Sequence, residues 1–324
     1  MNNLYAAVDL GGTNLRAVVA TLDGEIRGDD RRPSRAEEGL ETCLQTMQAS
    51  VEQACSEAGV EAAQLRGLGI ATPGWVDVTE GVVPAAPQLP GWRDVPLVRI
   101  MRERLGVPLV VLENDANAGA LGENVFGAGR GTRHMIYITV STGIGGGIII
   151  DGRLYGGARG SAGEVGHTVI DPAGPLCGCG NYGCLEALAS GTAIARQGEA
   201  VEARGQSPGL TAAKEREGRL TAALVAEAAL AGDLAAAEIY SEAGRFIGVV
   251  LANLVNVFSP ELILLGGGVT ASSELWLPQA EHTMQTMALS EPLRHVRLGL
   301  AELGDNVGVM GMIARLRQEV EGRK

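Results

Sequence analysis

The sequence predicts an α/β protein built from two related halves. Two stretches follow one plan, with an apolar strand, a glycine-rich turn, a second apolar strand and an Asp-Gly pair: YAAVDLGGTNLRAVVATLDG (5–24) and YITVSTGIGGGIIIDG (137–152). Strand-like and helix-like patterns alternate along much of the rest of the chain, as is typical of α/β domains. The repeated plan indicates a duplicated architecture. The hydrophobic content of 46% over 324 residues is enough to fill a sizeable core.

The first half begins with a strand, a glycine turn and a second strand over residues 4–28. Residues 37–58 are predicted to form a helix, because their apolar residues recur on one face: Leu40, Cys43, Leu44, Met47, Val51, Cys55 and Ala58. Cys43 and Cys55 are therefore expected in the core. A strand broken at Thr72-Pro73-Gly74 follows, and the stretch 107–127 is a strand that runs into a helix beginning near Asn114-Asp115.

In the second half, the polar, Gly- and Pro-bearing stretch 198–219 predicts a surface excursion, and the Ala-rich stretch 220–258 predicts helix. ELILLGGGV (261–269) is a buried strand that meets three glycines. An amphipathic helix is predicted from Asn306 to Glu321, with Asn306 as its N-cap. We expect a smaller N-terminal domain, 1–115, joined by the C-terminal helix 306–324, and a larger C-terminal domain, 116–305.

Composition excludes several functions. The formal net charge is −12, and no cluster of Lys and Arg supplies the basic face that a nucleic-acid binder needs. We see no signal peptide at the N-terminus, and the longest apolar stretch, 246–258, is too short and too polar to span a bilayer. Five cysteines, an odd number, do not suggest a secreted disulfide framework. A cytoplasmic protein with no membrane partner is expected.

Each glycine turn admits two interpretations. Glycine between two strands is typical of hairpin turns that need a positive φ. Two such turns, with hydroxyls at Thr13, Ser141 and Thr142, could also bind a polyphosphate through backbone N–H groups. The residues concerned are Gly11, Gly12 and Thr13 in the first glycine turn (11–13), and Thr142 and Gly143 in the second (141–146). Asp9 could orient Mg²⁺ through water, and Gly266, Gly267 and Gly268 offer a third place where a flat group could approach the backbone.

Four residues have the spacing of a structural zinc site. His167, Cys177, Cys179 and Cys184 follow the pattern H-x9-C-x-C-x4-C, with glycines between the cysteines. Three thiolates and one imidazole match a closed tetrahedral site, in which zinc shapes the loop and does no chemistry. The zinc loop (residues 164–186) also contains Glu164 and Glu186, so the ion could hold both acids near one pocket.

Asp115 stands where a buried strand ends, and α/β sheets bind ligands at the carboxyl ends of their strands. Taken alone, this segment favours a simpler interpretation, in which Asn114 or Asp115 caps the following helix. Together with Glu164 and Glu186, however, these residues form a polar set suited to several hydroxyls. One member, Asp115, would accept a proton.

These motifs resemble the ROK family (repressor, open reading frame, kinase) of bacterial sugar kinases, within the actin/hexokinase/Hsp70 superfold. VDLGGTN (8–14) is similar to the family's first phosphate motif and ITVSTGIGGGI (138–148) to its second. GEVGH (163–167) followed by CGCGNYGCLEALASG (177–191) resembles its zinc-containing signature, which is the most specific element.

Three further segments carry the resemblance over nearly the whole chain. LPGW (89–92) and VVLENDANAGALGE (110–123) are similar to the regions that precede and carry the family's catalytic aspartate. LILLGGGV (262–269) resembles its adenosine-binding segment. Ala71 and Ser141 stand where glycine is common in the family, and Ala71, if near the sugar, could tune selectivity.

The resemblance implies a two-domain actin-like ATPase (ribonuclease H-like) fold, with duplicated mixed-sheet domains and an interdomain cleft. It implies ATP-dependent phosphorylation of glucose at the 6-hydroxyl, with Mg²⁺ accompanying ATP and a structural Zn²⁺. Asp115 would be the general base, and Asn114, Asp115, Glu164, His167 and Glu186 would contact the sugar. His167 would serve both zinc and sugar, with one ring nitrogen each.

Two alternatives follow from the same resemblance. Fructose, mannose, allose or N-acetylmannosamine could replace glucose, because one contact to a hydroxyl or acetyl group can decide selectivity. Sugar-responsive repressors of the family carry a helix-turn-helix ahead of the first phosphate motif. Here that motif starts at Asp9, which leaves no room upstream, so we do not expect a repressor. The family resemblance also implies a homodimer, sometimes a tetramer.

Overall fold

The computed structural model describes residues 3–322, which divide into two compact units. Unit 1 contains the described residues up to Arg133, the segment Gly147–Gly163 and the described residues from Ala301 onward. Unit 2 contains His134–Gly146 and Glu164–Leu300. Each unit is discontinuous in sequence, so residues that are far apart along the chain meet within one unit.

The strands formed by the described residues are, in chain order, β1 (Tyr5–Leu10), β2 (Asn14–Ala20), β3 (Ile26–Pro33), β4 (Leu68–Thr72), β5 (Trp75–Asp77), β6 (Val82–Ala85), β7 (Arg93–Val95), β8 (Val110–Asn114), β9 (Met135–Val140), β10 (Ile144–Ile150), β11 (Arg153–Leu154), β12 (Leu262–Gly266) and β13 (Arg297–Leu300). The α-helices are α1 (Leu40–Glu57), α2 (Leu97–Leu105), α3 (Asp115–Val125), α4 (Leu185–Ala189), α5 (Gly191–Ala203), α6 (Pro208–Glu217), α7 (Ala222–Leu230), α8 (Leu234–Phe258), α9 (Leu277–Met287), α10 (Ser290–Leu293) and α11 (Val307–Glu321). Among residues 3–322, no helix combines the length and the apolar character needed to cross a bilayer.

Unit 1 contains a mixed five-stranded sheet in the order β3-β2-β1-β4-β8. β1, β4 and β8 run parallel, whereas β2 and β3 are antiparallel additions. Asp9 lies opposite Ala71 in β4, which in turn lies opposite Glu113 in β8. The carboxyl ends of the three parallel strands therefore meet at one edge of the sheet.

Alternate side chains of β1 enter two different cores, as the period of two in a strand requires. Ala6, Val8 and Leu10 belong to the core that also contains residues of α1 and α2. Tyr5 and Ala7 belong to the core that contains residues of α11, which packs against α3, β1 and β4. By the same alternation, Asp9 points to the side of the sheet that α11 covers.

The predicted strands and helices of the first half are present, but β3, the three-stranded sheet β5-β6-β7 and α2 were not predicted. Its two cysteines are core residues, as predicted. Cys43 and Cys55 are buried in α1, and burial raises the pKa of each thiol to about 11. Ala71 is also fully buried, in the core beneath α11. Its side chain packs in that core, and its influence on sugar selectivity stays a prediction.

The second five-stranded sheet has the order β11-β10-β9-β12-β13, in which β9, β12 and β13 run parallel. The strand–turn–strand plan predicted for 137–152 is formed by β9 and β10. The plan of β1 and β2 thus occurs twice, and the predicted repeat is confirmed.

The stretch 198–219 differs from its prediction, because most of it is helical. It contains the end of α5 and the whole of α6. Ser207 caps α6 by accepting a hydrogen bond from the Leu210 N–H, Pro208 occupies the first turn, and Gly218 ends the helix in the left-handed region. Only Leu210 and Ala213 of α6 are buried, so apolar periodicity could not reveal this helix, whereas its caps could.

The C-terminal helix forms as predicted, but the expected N-cap hydrogen bond from the Asn306 side chain does not. Asn306 occupies the N-cap position of α11 without a side-chain bond to the helix. Its Oδ1 atom accepts a hydrogen bond from Arg16 Nη1 instead, at 2.7 Å. Arg323 and Lys324, the last two residues of the predicted segment 306–324, lie outside the described residues, as do Met1 and Asn2 of the predicted domain 1–115.

Candidate functional site

The helix that follows β8 is capped by Asn114. Its Oδ1 atom accepts hydrogen bonds from the N–H groups of Ala116 at 2.9 Å and Asn117 at 3.2 Å, and its Nδ2 donates to the carbonyl of Gly74 at 3.1 Å. Asp115 is the first residue of α3 and is exposed, and its Oδ1 also accepts from the Ala116 N–H, at 2.8 Å. Capping therefore accounts for Asn114, while Asp115 presents a carboxylate at the edge of the sheet.

A second acid lies directly beneath this edge and was missed by sequence reasoning. Glu113 is buried, and its Oε1 accepts from the N–H of Asn114 and from Nδ2 of Asn117, both at 3.0 Å. Burial raises the pKa of Glu113, although these two hydrogen bonds and the nearby Arg315 oppose the shift. The sequence does contain a signal for Glu113, namely an acidic residue inside an otherwise apolar strand, since a buried acid needs hydrogen-bonding or charged partners.

The first glycine turn connects β1 to β2 without a positive φ at Gly11 or Gly12. The Gly11 N–H donates to the carbonyl of Asn14 at 2.8 Å, and the Ser34 hydroxyl donates to the Gly12 carbonyl at 3.0 Å. A Cβ at Gly12 would lie 3.2 Å from the carbonyl of Gln88. The hairpin interpretation, in which positive φ requires glycine, is therefore wrong here: these glycines serve close approach of backbone.

The second glycine turn is held from two sides within unit 2. The Ser141 N–H donates to the Gly143 carbonyl at 2.9 Å. The N-terminus of α5 meets the turn, because the Gly191 N–H donates to the Ser141 carbonyl at 2.7 Å and the Thr192 hydroxyl donates to the Thr142 carbonyl at 2.8 Å. Gly143 also lacks a positive φ. Glycine is needed here for close approach as well, but the neighbouring group is the Glu186 carboxylate and not backbone.

The third glycine segment follows β12. Gly267 has a φ of 88°, and a Cβ there would overlap the carbonyl of Val140. A Cβ at Gly268 would lie 3.8 Å from Ser141 Oγ, so this segment stands beside the second glycine turn. The second glycine turn and the glycines that follow β12 are therefore neighbours in unit 2.

The four predicted zinc ligands converge. Their ligand atoms all lie within 4.8 Å of one another. His167 Nδ1 is 3.6 Å from Cys177 Sγ, and Cys179 Sγ is 3.7 Å from Cys184 Sγ. Tetrahedral zinc, with bonds of ~2.3 Å to sulfur and ~2.0–2.1 Å to nitrogen, implies ligand separations of ~3.6 Å for N–S and ~3.8 Å for S–S. The donor set and its spacing therefore fit a structural zinc ion.

The two acids of the zinc loop flank this cluster. The Nε2 atom of His167 lies 4.0 Å from Glu164 Oε2, on the opposite side of the ring from the thiols. The Cys177 thiol donates to Glu186 Oε1 at 3.8 Å, and Glu186 Oε2 accepts from the N–H of Ile144 at 3.0 Å. Burial raises the pKa of Glu164, with His167 opposing and Glu186 adding to the shift.

The predicted site residues thus form two sets, one in each unit. Unit 1 holds Asp9, the first glycine turn, Asn114 and Asp115. Unit 2 holds the second glycine turn, the zinc loop and the glycines that follow β12. Within each set, residues from distant parts of the sequence are neighbours in space.

The chain was compared with known proteins. A family model described as "ROK family" matches residues 5–319. A glucokinase from Halalkalibacterium halodurans is 35% identical over 308 residues, which are 95% of this chain and 93% of that protein. A xylose repressor from Caldicellulosiruptor bescii is 32% identical over 307 residues, which are 95% of this chain and 76% of the repressor.

Structural similarity extends over the whole molecule. The crystal structure of a ROK family glucokinase from Streptomyces griseus in complex with glucose and AMPPNP matches with a TM-score of 0.83 and 35% identity. The match covers 97% of this chain and 99% of that chain. The predicted fold, with mixed-sheet α/β domains of the actin-like sugar kinase type, is confirmed.

Proposed function

Since the chain belongs to the ROK family, we propose that it is a hexose kinase that transfers the γ-phosphoryl group of ATP to the 6-hydroxyl of glucose. The observation that carries this proposal is the sheet edge of unit 1. Asp9 and Asp115 stand there at the ends of parallel strands, in a chain that aligns with a glucokinase over 95% of its length. A glucokinase relative that binds glucose and AMPPNP supports the same substrates here.

Asp115 would act as the general base. Its carboxylate is exposed, and Asp115 is the first residue of α3, whose N-terminus is capped by Asn114. The proton of the sugar 6-hydroxyl would pass to Asp115 as that oxygen attacks the γ-phosphorus in line, while the bond from this phosphorus to the β–γ bridging oxygen breaks and ADP leaves. Phosphoryl transfer depends mainly on positioning and charge neutralisation, and a positioned base adds about 10²–10⁴-fold.

The sugar hydroxyls would be bound by Asn114, Glu164, His167 and Glu186. The orientation of His167 supports a double role, because Nδ1 faces the thiols while Nε2 faces Glu164. A bound zinc ion would fix the His167 ring and stiffen the zinc loop. His167 and both acids would then meet the sugar with little loss of conformational freedom on binding.

The donor would be held by backbone N–H groups of the two glycine turns. Gly11, Gly12 and Gly143 present no side chain, which lets a phosphate approach the backbone. Asp9 would hold Mg²⁺ through water, and the ion neutralises phosphate charge. The adenosine would lie against Gly266, Gly267 and Gly268, a place supported by the nearness of Gly268 to the second glycine turn, since a Cβ at Gly268 would lie 3.8 Å from Ser141 Oγ.

The decisive experiment is Asp115→Asn, assayed with glucose and ATP. Asparagine keeps an oxygen that can accept the Ala116 N–H, so we expect an intact fold and a kcat lower by about 10²–10⁴-fold. Glu103→Gln, an exposed acid of the same unit, is the matched control and should keep full activity. A near wild-type rate in a folded Asp115→Asn protein would refute the base assignment.

The substrate is tested with a coupled assay over a hexose panel: glucose, fructose, mannose, allose and N-acetylmannosamine. ATP, ADP and polyphosphate serve as donors. We expect glucose with ATP to give the highest kcat/KM. Equal turnover of glucose and fructose would contradict the glucokinase assignment and would indicate a hexose kinase with a broader substrate specificity.

The repressor relative raises a second candidate, a sugar-binding transcriptional regulator. The match covers about three quarters of that repressor. The net charge of −12 disfavours binding to the phosphate backbone. Sequence-specific DNA binding by the purified protein would favour the regulator over the kinase.

A further inference from the structure

Asp9 and Gly308 are in close contact although they lie at opposite ends of the sequence. Gly308 is the second residue of α11, and Asp9 points to the side of the sheet that α11 covers. A Cβ added at Gly308 would lie 2.9 Å from Asp9 Oδ1 and closer still to Cγ and Oδ2. Real Cβ atoms do not approach so closely. Only glycine at position 308 therefore leaves room for the Asp9 carboxylate as it stands.

The start of α11 is fixed by a buried arginine opposite Asp9. Arg16 lies across the β1–β2 pair from Asp9 and is buried. Its Nε and Nη2 atoms donate to Asp29 at 2.9 and 2.6 Å, and its Nη1 donates to Asn306 Oδ1 at 2.7 Å and to the Asp305 carbonyl at 3.0 Å. One guanidinium thus joins the sheet to the residues that precede α11.

The backbone conformation does not require glycine at position 308. Gly308 has no positive φ, and glycine in a helix is less favourable than alanine. Alanine would favour the helix here if the Asp9 carboxylate were elsewhere. The contact with Asp9 is accordingly the structural reason for glycine at this position.

We propose that Gly308 is a positioning residue for Asp9. By lacking a side chain it admits the Asp9 carboxylate against the first turn of α11 and so sets the direction in which the carboxylate oxygens face the water shell of the nucleotide-bound cation. The inference rests on the proposed function, since it takes Asp9 as the residue that meets Mg²⁺. It assigns to α11 a part in metal-dependent nucleotide binding.

The first measurement is a double-mutant cycle on unfolding, which needs neither metal nor nucleotide. Gly308→Ala should lower the midpoint of unfolding in the wild-type background, because the new Cβ overlaps the Asp9 carboxylate. In an Asp9→Ala background the overlap is gone, so the same change should have no effect or raise the midpoint. Equal destabilisation in both backgrounds would overturn the proposed contact.

The second measurement is calorimetric binding of AMPPNP with and without Mg²⁺. Mg²⁺ should increase the affinity of the wild-type protein for AMPPNP. For Gly308→Ala we expect this increase to be about tenfold smaller, which is comparable to the loss of one charge-assisted hydrogen bond. Metal-free binding should be unchanged, and Asp9→Asn should behave in the same way. Asn306→Ala, which removes an acceptor from Arg16 and leaves Gly308 in place, is the milder variant if Gly308→Ala does not fold, and we expect a smaller change in the same direction.

Gly311→Ala is the matched control in the same helix. A Cβ at Gly311 would overlap the carbonyl of Ala118 in α3, so this variant is destabilised by packing and does not touch Asp9. We expect a lower midpoint of unfolding with wild-type dependence on Mg²⁺. If the AMPPNP affinity of Gly311→Ala also ceased to depend on Mg²⁺, the effect of Gly308→Ala would be attributed to helix packing and the positioning role would be refuted. A wild-type protein that binds AMPPNP equally with and without Mg²⁺ would instead refute the Asp9 assignment itself, and the positioning role with it.

Discussion

The Oε2 atom of Glu186 accepts a hydrogen bond from the backbone N–H of Ile144 at 3.0 Å, where the second glycine turn enters β10. Glu186 is the last residue of the zinc loop, and its other oxygen lies 3.8 Å from Cys177 Sγ. Gly143 permits this arrangement, because a Cβ there would lie against Glu186 Oε2. One side chain therefore links a loop proposed to bind the sugar with a turn proposed to bind phosphate.

Glu186→Ala should therefore affect both substrates. Removing the carboxylate leaves the Ile144 N–H without its acceptor and loosens the turn, so we expect the KM for ATP to rise about tenfold together with that for glucose. Glu238→Ala, an exposed acid of the same unit, serves as control and should change neither KM. A rise in the glucose KM alone would mean that the contact with Ile144 has no influence on the donor.

Zinc should bind in a ratio of one ion per chain. Cys184→Ser, or treatment with a strong chelator, should remove the ion, lower the Tm and raise the KM for glucose, because His167 and both acids lose their support. Metal content by mass spectrometry and thermal unfolding measure these effects. Cys55→Ala is the control, since Cys55 lies in the core of unit 1: it should lose stability but keep its zinc. Full activity and stability in a zinc-free protein would contradict the site.

Asp9 should lower the stability of the free protein at neutral pH. Burial raises its pKa to about 6 from an ordinary value of 3.8, with Arg16 opposing. Between these values the unfolded chain loses the proton while the folded protein keeps it, so folding stability falls as the pH rises from about 4 to about 6. The full cost, which remains above pH 6, is at most about 3 kcal/mol.

Asp9→Asn removes this cost. We expect the variant to be more stable than wild type by about 1–3 kcal/mol at pH 7.5, to lose that advantage near pH 4, and to be deficient in activity. Urea unfolding of both proteins over this pH range, without metal or nucleotide, measures the difference. A stability difference that does not vary with pH would show that the buried Asp9 carboxylate does not destabilise the folded protein.

Glu123 should be among the residues most sensitive to substitution in unit 1. It is fully buried in α3, with Oε1 accepting from the N–H groups of Glu302 at 3.0 Å and Leu303 at 2.8 Å, and Oε2 accepting from Ala128 at 2.9 Å. Glutamine replaces one acceptor with a donor that faces another donor, so Glu123→Gln should cost about 2–4 kcal/mol in the free energy of unfolding. Glu103→Gln at an exposed position should change it by less than about 0.5 kcal/mol. Similar values for both variants would refute this role.

Local signals in the sequence predict much of the fold. The helix over 37–58 is confirmed as α1 because its apolar residues repeat with a helical period. The convergence of His167, Cys177, Cys179 and Cys184 could be predicted because four residues with metal-binding side chains occur within one short loop. The stretch 198–219 was misread because α6 buries few side chains, although Ser207, Pro208 and Gly218 marked its ends.

Long-range partners could not be predicted in the same way. The pattern at Asn306 is that of an N-cap, but Arg16 supplies a charged donor that competes for the same oxygen. Glu113 precedes the capped helix, yet only the fold reveals that Asn114 and Asn117 satisfy it. The contact of Gly308 with Asp9 joins the second residue of the last helix to the first strand, and no spacing in the sequence encodes it. Such relations depend on which faces the sheet and helices present to one another.

The place of α11 has a consequence for synthesis. The face of the first sheet formed by Tyr5, Ala7 and Val18 is closed by residues of α11 such as Val309 and Ile313. A ribosome that adds ~5–20 residues per second makes this face on the order of 15–60 s before it makes the helix that covers it. Residues 134–300 emerge during that interval. The nascent chain must therefore keep an apolar sheet face from aggregating while most of the protein is still being translated, which makes this face a natural target for chaperones that bind the emerging polypeptide.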